Sequence, residues 1–283
     1  MMDIRLNYDQ IIDFALKEDI GDGDHSSLAS IPAETQVEAK LVSKAGGIIC
    51  GVEIGEKIFK KVDDSLQVET FIKDGKSILY GDVIMRVKGN AISILTAERT
   101  VLNFMQRLSG IATHTNSLIK LIEDLPTKIL DTRKTTPGMR YFEKYAVKVG
   151  GAENHRFGLF DMIMLKDNHI DFAGGIKPAI ERTHEYLKKT GKNLKIEIEV
   201  RSFEELEEVL SCGGIDRIML DNFSVEDLAL AVKRINKQYE TEASGGITKD
   251  TLRKYAETGV DFISVGALTH QIKSLDLSLI AYR

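Results

Sequence analysis

The chain has 283 residues, 43% of them hydrophobic and 29% charged, with 38 Lys and Arg against 43 Asp and Glu for a formal net charge of −5. That length accommodates one large domain or two with separate cores; the acidic balance excludes a general nucleic-acid binder, and no apolar run approaches the roughly 18–20 residues that cross a bilayer. Cys50 and Cys212 show no C-x-x-C spacing and read as reduced thiols, and the opening MMDIRLNYDQII lacks the basic and apolar regions of a signal peptide, so a cytoplasmic protein is expected.

Within residues 9–18, Ile11, Ile12, Ala15 and Leu16 fall at helical spacing. The acidic turn EDIGDGD (18–24) ends that helix; it has neither the ligand spacing nor the closing glutamate of an EF-hand, so no calcium site is expected. Residues 36–95 read mainly as strands. Val37, Ala39 and Leu41 alternate with charged neighbours, and strands at 67–72, 83–87 and 91–95 follow, with turns at Asp74-Gly75, Gly81-Asp82 and Gly89-Asn90. A helix over 52–62 lies between them, giving an N-terminal α/β sandwich domain over 1–108. Thr96 is a candidate N-cap for a helix to 108, with Val101, Leu102, Met105 and Leu108 on one face and Arg99, Asn103 and Gln106 on the other. Ser109-Gly110 then allows a break, and this helix serves as the hinge.

From 127 the rhythm becomes strand–helix alternation. Strands are predicted at 128–131, 162–165, 195–200, 217–220, 240–243 and 261–265, and helices at 202–210, 225–239 and 249–258. Alternation of this kind implies a parallel sheet, here an incomplete TIM-like α/β barrel over 109–268, with a last helix at 269–283 packing back on the first domain.

The charge is unevenly placed. Between residues 127 and 169 there are eight Lys or Arg against five Asp or Glu, in a chain that is acidic overall. Arg133 and Lys134 follow the first strand of the series, Lys166 and His169 the second, Asp221 the fourth, while Glu197 and Glu199 lie on the third. Parallel barrels collect such strand ends at one mouth. Arg133, Lys134, His155, Arg156 and Lys166 form a candidate clamp for a dicarboxylate and a pyrophosphate, although each alone would more often be a solvated or salt-bridging group. Glu199 and Asp221 could hold a divalent cation or sugar hydroxyls, or pair structurally with the nearby cations, and Glu197 competes with Glu199 because alternation puts both on one strand face. Ser244-Gly245-Gly246 and Gly266–His270 follow the last two strands, where backbone N–H groups bind phosphate; their bland reading is two tight turns. His169 could simply cap its loop. H-E-x-x-H and G-x-S-x-G are both missing, but a lysine at a strand end, Lys166, also admits a Schiff-base lyase.

DTRKTTPGMRYFEKYAVKVGGAENHRFGLFDMIMLKDNHI (131–170) resembles the central block of the quinolinate phosphoribosyltransferases. The resemblance extends through EDIGDGDHSS, AERTVLNFMQRLSGIAT, EIEV, MLDN, EASGGI and ISVGALTH, covering nearly the whole chain in the family's order. It implies an N-terminal sandwich and a C-terminal barrel, a homodimer, Mg²⁺ as cofactor, and quinolinate and phosphoribosyl pyrophosphate as substrates. By motif matching it implies that Arg133, His155, Arg156 and Lys166 grip the quinolinate carboxylates and nearby phosphates, and that Lys134 meets pyrophosphate. Glu199 and Asp221 would serve the ribose and Mg²⁺; Ser244, Gly245, Gly246, Ser264, Gly266 and His270 the phosphoribosyl side. Arg99 would enter the active site of the partner subunit. The family usually has three glycines before its Asn-His-Arg, and here the third is Ala152. A relative linked to molybdenum transport shares the DTRKT-type block but typically alters Lys-Asp-Asn-His, which is intact here and favours quinolinate; a related phosphoribosyltransferase acting on another aromatic acid is the second reading.

Overall fold

The computed structural model describes residues 5–282, with side chains for 8–281; Met1–Ile4, part of the opening stretch read for a leader, and Arg283 lie outside the described residues. In chain order the elements are α1 (Arg5–Ile20), α2 (His25–Ser30), β1 (Gln36–Ser43), β2 (Gly47–Ile48), α3 (Val52–Val62), β3 (Gln67–Thr70), β4 (Ser77–Ile78), β5 (Val83–Asn90) and α4 (Ala91–Ile119). Then come β6 (Lys128–Leu130), α5 (Arg140–Val149), β7 (Ile163–Leu165), α6 (Asp167–Ala173), α7 (Ile176–Thr190), β8 (Ile196–Val200), α8 (Phe203–Cys212) and β9 (Arg217–Asp221). The chain finishes with α9 (Val225–Ile235), β10 (Glu240–Ser244), α10 (Leu252–Ala256), β11 (Phe262–Ser264), α11 (Ala267–His270) and β12 (Leu277–Tyr282). Two compact units result: residues up to 117, 135–151 and 267 onward form the first, and 118–134 with 152–266 form the second.

The first unit is built on an antiparallel sheet in the order β12-β1-β5-β3. Its acidic turn is a pair of helix ends. Gly21 ends α1 with φ of 57°, and Asp24 caps α2, accepting from Ser27 N at 3.2 Å and Ser27 Oγ at 2.5 Å. Asp74 caps α3 from a distant turn, accepting from Gly51 N and Val52 N, both at 2.9 Å.

Three expectations change here. Residues 91–95 form the first turn of α4 rather than a strand, because Asn90 Oδ1 accepts from Ser93 N at 3.1 Å and starts the helix five residues before Thr96. The helix then runs through Ser109-Gly110 without a break. Ser109 Oγ accepts from Cys50 N at 2.9 Å and donates to Cys50 O at 3.1 Å, and a Cβ at Gly110 would stand 3.1 Å from Ile272 Cγ2 and Ser274 Cα. The two small residues admit neighbouring chain; they do not end the helix. Finally, the helix expected over 269–283 is only α11, followed by β12, with Leu41 opposite Leu279 and Ala39 opposite Ala281. Leu275, Leu277 and Leu279 recur at the strand period, and pairing with β1 satisfies backbone groups that would otherwise form an open edge.

In the second unit all six strands are parallel, in the order β6-β11-β10-β9-β8-β7. β7 through β11 thus lie side by side in chain order and β6 pairs with the last of them. Among the described residues β6 and β7 do not pair with each other, and a bridge from Leu130 to Glu153 occupies the β6 edge, so the barrel is incomplete. Ile198, Val200, Ile218, Leu220 and Ile263 are buried. Ser202 and Ser224 cap α8 and α9, accepting from Glu205 N at 3.3 Å and Asp227 N at 3.0 Å, which stops each strand–helix loop within a few residues of the strand end. Among the described residues no helix is long and apolar enough to cross a membrane.

Candidate active site

The ends of β6 to β11 carry most of the predicted residues of the second unit, while His155 and Arg156 lie on the loop that leads into β7. Arg133 and Lys134 follow β6 and are exposed, the backbone fixed by Lys134 N donating to Thr132 Oγ1 at 3.0 Å. Arg156 sits on a loop held by Asp161, which accepts from Phe157 N at 2.6 Å and Gly158 N at 2.8 Å, while its own Nη1 donates to Met162 O at 3.1 Å. Burial first, and then the nearby charge of Arg133, lower the Arg156 pKa. Two guanidinium groups that repel each other at a half-open surface favour an anion between them.

Lys166, at the end of β7, places Nζ 3.3 Å from Glu199 Oε2. Glu199, one residue before the end of β8, is pushed up by burial, pulled down by Lys166 and pushed up again by Asp221 at the end of β9. The predicted carboxylate pair therefore shares one electrostatic environment. His169 does cap its loop, accepting from Lys166 N at 3.0 Å.

Glu197, two residues earlier on β8, belongs to a separate buried cluster. His155 Nε2 lies 2.9 Å from Glu197 and 3.4 Å from Glu242, and Arg217 Nη1 lies 3.0 Å from Glu242. Two carboxylates thus face one guanidinium and one imidazole. Burial alone would lower the His155 pKa, but the contacts with Glu197 and Glu242 raise it to about 9. Arg156 N donates to His155 Nδ1 at 2.6 Å, so the ring proton sits on Nε2, the nitrogen that faces both carboxylates. Burial and Glu242 raise Glu197, while Glu242 is held down by His155 and Arg217 against its own burial. His155, Glu197 and Glu242 are ligand types within 4.8 Å of one another. Arg217 also bonds Glu240 Oε2 at 3.0 Å, so one guanidinium ties two strand carboxylates together while His155 Nε2 faces Glu197, and the cluster fits a structural role.

The glycine turns differ. Gly245 and Gly246 have φ of 94° and 60°, and Ser244 Oγ donates to Asp221 Oδ1 at 2.5 Å. Gly266 is not left-handed, and Ser264 Oγ reaches Ala243 O at 3.5 Å. Ala152 is buried at ordinary negative φ, so its methyl replaces glycine without backbone strain. Arg99 and His270 belong to the first unit, Arg99 exposed on α4 and His270 exposed on α11. That unit also contains a cavity of about 710 Å³ lined by Phe14, Phe104 and Met139 among others; its one arginine, Arg107, is already paired with Glu143 at 2.8 Å.

Three residues escaped the sequence reading. Arg217 and Glu242 looked like ordinary strand charges, although Glu242 flanked by Thr241 and Ala243 on a barrel strand was a detectable signal of an inward carboxylate. Asn222 carried no signal beyond its place after Asp221; its φ of 56° is visible only in the structure.

Residues 24–109 match the quinolinate phosphoribosyl transferase N-terminal domain and residues 111–280 the C-terminal domain. The chain is 47% identical over 284 residues to the chloroplastic nicotinate-nucleotide pyrophosphorylase (carboxylating) of Oryza sativa subsp. japonica, covering 95% of this chain and 76% of that one. It is 43% identical over 274 residues to the probable nicotinate-nucleotide pyrophosphorylase (carboxylating) of Bacillus subtilis (strain 168), covering 97% and 93%. The nicotinate-nucleotide pyrophosphorylase structure from Francisella tularensis superposes with a TM-score of 0.90 at 42% identity, covering 96% of this chain and 95% of that chain. With both domains matched in order and relatives above 40% identical over nearly the whole chain, the chain belongs to the quinolinate phosphoribosyltransferase family.

Proposed function

We infer that the chain transfers the phosphoribosyl group of phosphoribosyl pyrophosphate to quinolinate, giving nicotinate mononucleotide, pyrophosphate and carbon dioxide in NAD biosynthesis. The observation that carries this reading is the placing of Arg133, Lys166, Glu199, Asp221 and Ser244 at successive strand ends of one unit, with Arg156 on the loop that leads into β7. In this proposal Arg133 and Arg156 hold the quinolinate carboxylates, their mutual repulsion relieved by the bound dianion, with His155 behind them and Lys166 beside them. Lys134 meets the pyrophosphate, and Ser244, Gly245, Gly246, Ser264 and Gly266 line the phosphoribosyl side.

Chemistry then follows from charge. The ribose C1–O bond breaks and the electron pair leaves with pyrophosphate, whose growing charge Lys134 and Lys166 neutralise. The sugar becomes oxocarbenium-like, stabilised by Glu199 and Asp221, and the pyridine nitrogen, aimed by the two arginines, donates its lone pair to C1. The pyridinium so formed accepts the electrons of the breaking C2–carboxylate bond, carbon dioxide leaves, and C2 takes a proton. No protein nucleophile is required.

Glu199 and Asp221 fit Mg²⁺: both are hard oxygen donors, and their repulsion is only partly offset by Lys166. When bound, the ion would stabilise the negative charge of the leaving pyrophosphate. A homodimer with Arg99 donated to the partner's site belongs to the same proposal, as does a cytoplasmic location; plant relatives are named chloroplastic or mitochondrial, and cell fractionation tests that point. The activity is tested by incubating the protein with phosphoribosyl pyrophosphate, Mg²⁺ and either quinolinate or nicotinate. Nicotinate mononucleotide from quinolinate alone is expected; product from nicotinate alone would replace this reading with a related transferase.

A further inference from the structure

Asn222 stands directly after Asp221 in a left-handed conformation, φ 56°, one of three non-glycine residues so placed among those described. Left-handed backbone disfavours L side chains, with Asn among the few that tolerate it. Its three contacts all involve neighbouring parts of the proposed phosphoribosyl site. Its Nδ2 donates to Asp221 Oδ2 at 2.6 Å. Its backbone N donates to Ser244 O at 2.9 Å. Its side chain lies over Gly245 so closely that a Cβ there would stand 2.6 Å from Asn222 Cγ and 2.9 Å from Asn222 N. Ser244 Oγ meanwhile donates to Asp221 Oδ1 at 2.5 Å. Each Asp221 oxygen thus accepts one bond within the protein and keeps a lone pair for a ligand.

We propose that Asn222 is a positioning residue that locks the Asp221 carboxylate to the Ser244-Gly245-Gly246 turn, so that the ribose-facing carboxylate and the phosphate-facing backbone form one rigid acceptor for phosphoribosyl pyrophosphate. The proposal rests on the assignment of Asp221 and the 244–246 turn to that substrate. Asn222 acts through Asp221 and touches no reacting atom. The left-handed backbone folds the amide back onto the preceding carboxylate. Gly245, lacking a Cβ, leaves room for it. With the amide removed, Ser244 alone holds Asp221, and the carboxylate can turn about its last bond. The cost falls on the substrate that Asp221 orients, and quinolinate, held on the Arg133–Arg156 side, is unaffected.

Two variants separate backbone from amide. Asn222→Gly keeps the left-handed conformation without strain and removes the amide; Asn222→Asp keeps the shape and faces Asp221 with a second carboxylate. Steady-state kinetics with each substrate varied in turn, beside thermal unfolding, should show the KM for phosphoribosyl pyrophosphate up about tenfold in Asn222→Gly and further in Asn222→Asp. The KM for quinolinate and the unfolding midpoint of Asn222→Gly should stay near wild type. Parallel rises in both KM values with a lowered midpoint would overturn the inference in favour of general loop stability. Normal kinetics in both variants, beside an impaired Asp221→Asn, would overturn it while leaving the assignment of Asp221 intact. Normal phosphoribosyl pyrophosphate kinetics in Asp221→Asn itself would overturn that assignment and the inference together.

Discussion

Nζ of Lys166 stands 3.3 Å from Oε2 of Glu199, with 46% of the lysine side chain exposed and 9% of the glutamate. A half-open ammonium thus covers a buried carboxylate. It offsets part of the burial that pushes the Glu199 pKa up, and it still has donors to face an anion arriving from outside. Removing it as Lys166→Ala should lower kcat by about 10²–10³, the scale on which lost electrostatic stabilisers of a transition state are felt. Lysine also pulls the Glu199 pKa down against burial, so the acid limb of the residual pH–rate profile should move to higher pH. An unchanged limb would mean that Glu199 does not need to be ionised.

Stability should fall on the alkaline side. The folded-state pKa of His155 is raised to about 9, above its ordinary 6.5, so its stabilising contribution is complete below pH 6.5 and disappears as pH rises through 9. Glu197, also raised, acts with the same sign, because the folded state binds its proton more tightly than the unfolded chain does. Unfolding midpoints measured from pH 6 to 9.5 should therefore decline, and His155→Gln should flatten that decline. Glu242, held below its ordinary value, works at the other end: its contribution is lost as pH falls below the carboxylate range.

Arg217→Met should be more damaging to stability than to substrate binding. It leaves Glu197 and Glu242 buried against His155 alone, a situation that typically costs about 3–5 kcal/mol. Denaturant unfolding of the variant measures the loss directly, and Arg217→Met combined with Glu242→Gln should recover part of it, since the unpaired charge is then gone.

The two glycines of the 244–246 turn should respond differently to alanine. Both have positive φ, but only at Gly245 would the added methyl meet Asn222; at Gly246 nothing lies within 4 Å. Gly245→Ala should raise the KM for phosphoribosyl pyrophosphate well beyond Gly246→Ala, whose cost is the roughly 1–2 kcal/mol of a left-handed alanine. Equal effects would show that strain alone matters in this turn.

Much of this was legible before any coordinates, for identifiable reasons. Each of the six predicted strands of the second unit appears within two residues of its expected ends, with a polar residue or glycine within two positions after it. The errors came where a tertiary contact overrode local pattern. Asn90 capping Ser93 moved the start of α4, and Cys50 bonding to Ser109 hid the role of a pair that otherwise reads as a helix breaker. The chain end, as strand β12, depends on β1 some 240 residues earlier in sequence, a pairing that periodicity within one segment does not report. The site shows the same division. Lys166, Glu199 and Asp221 announce themselves at strand ends, whereas Arg217, Glu242 and Asn222 act through neighbours that only folding supplies.

Subunit exchange examines the proposed role of Arg99. Arg99→Ala and Lys166→Ala should each retain only a small residual activity, and mixed dimers of the two should rise well above it, because one of the two sites then contains both native residues. Failure to recover after verified exchange would remove Arg99 from the partner's site.

The most direct test of phosphoribosyl transfer with decarboxylation follows quinolinate labelled in its 2-carboxylate. Labelled carbon dioxide should appear only when phosphoribosyl pyrophosphate and Mg²⁺ are present, and in a one-to-one ratio with nicotinate mononucleotide. Carbon dioxide released without phosphoribosyl pyrophosphate, or nucleotide formed with the label retained, would contradict the account.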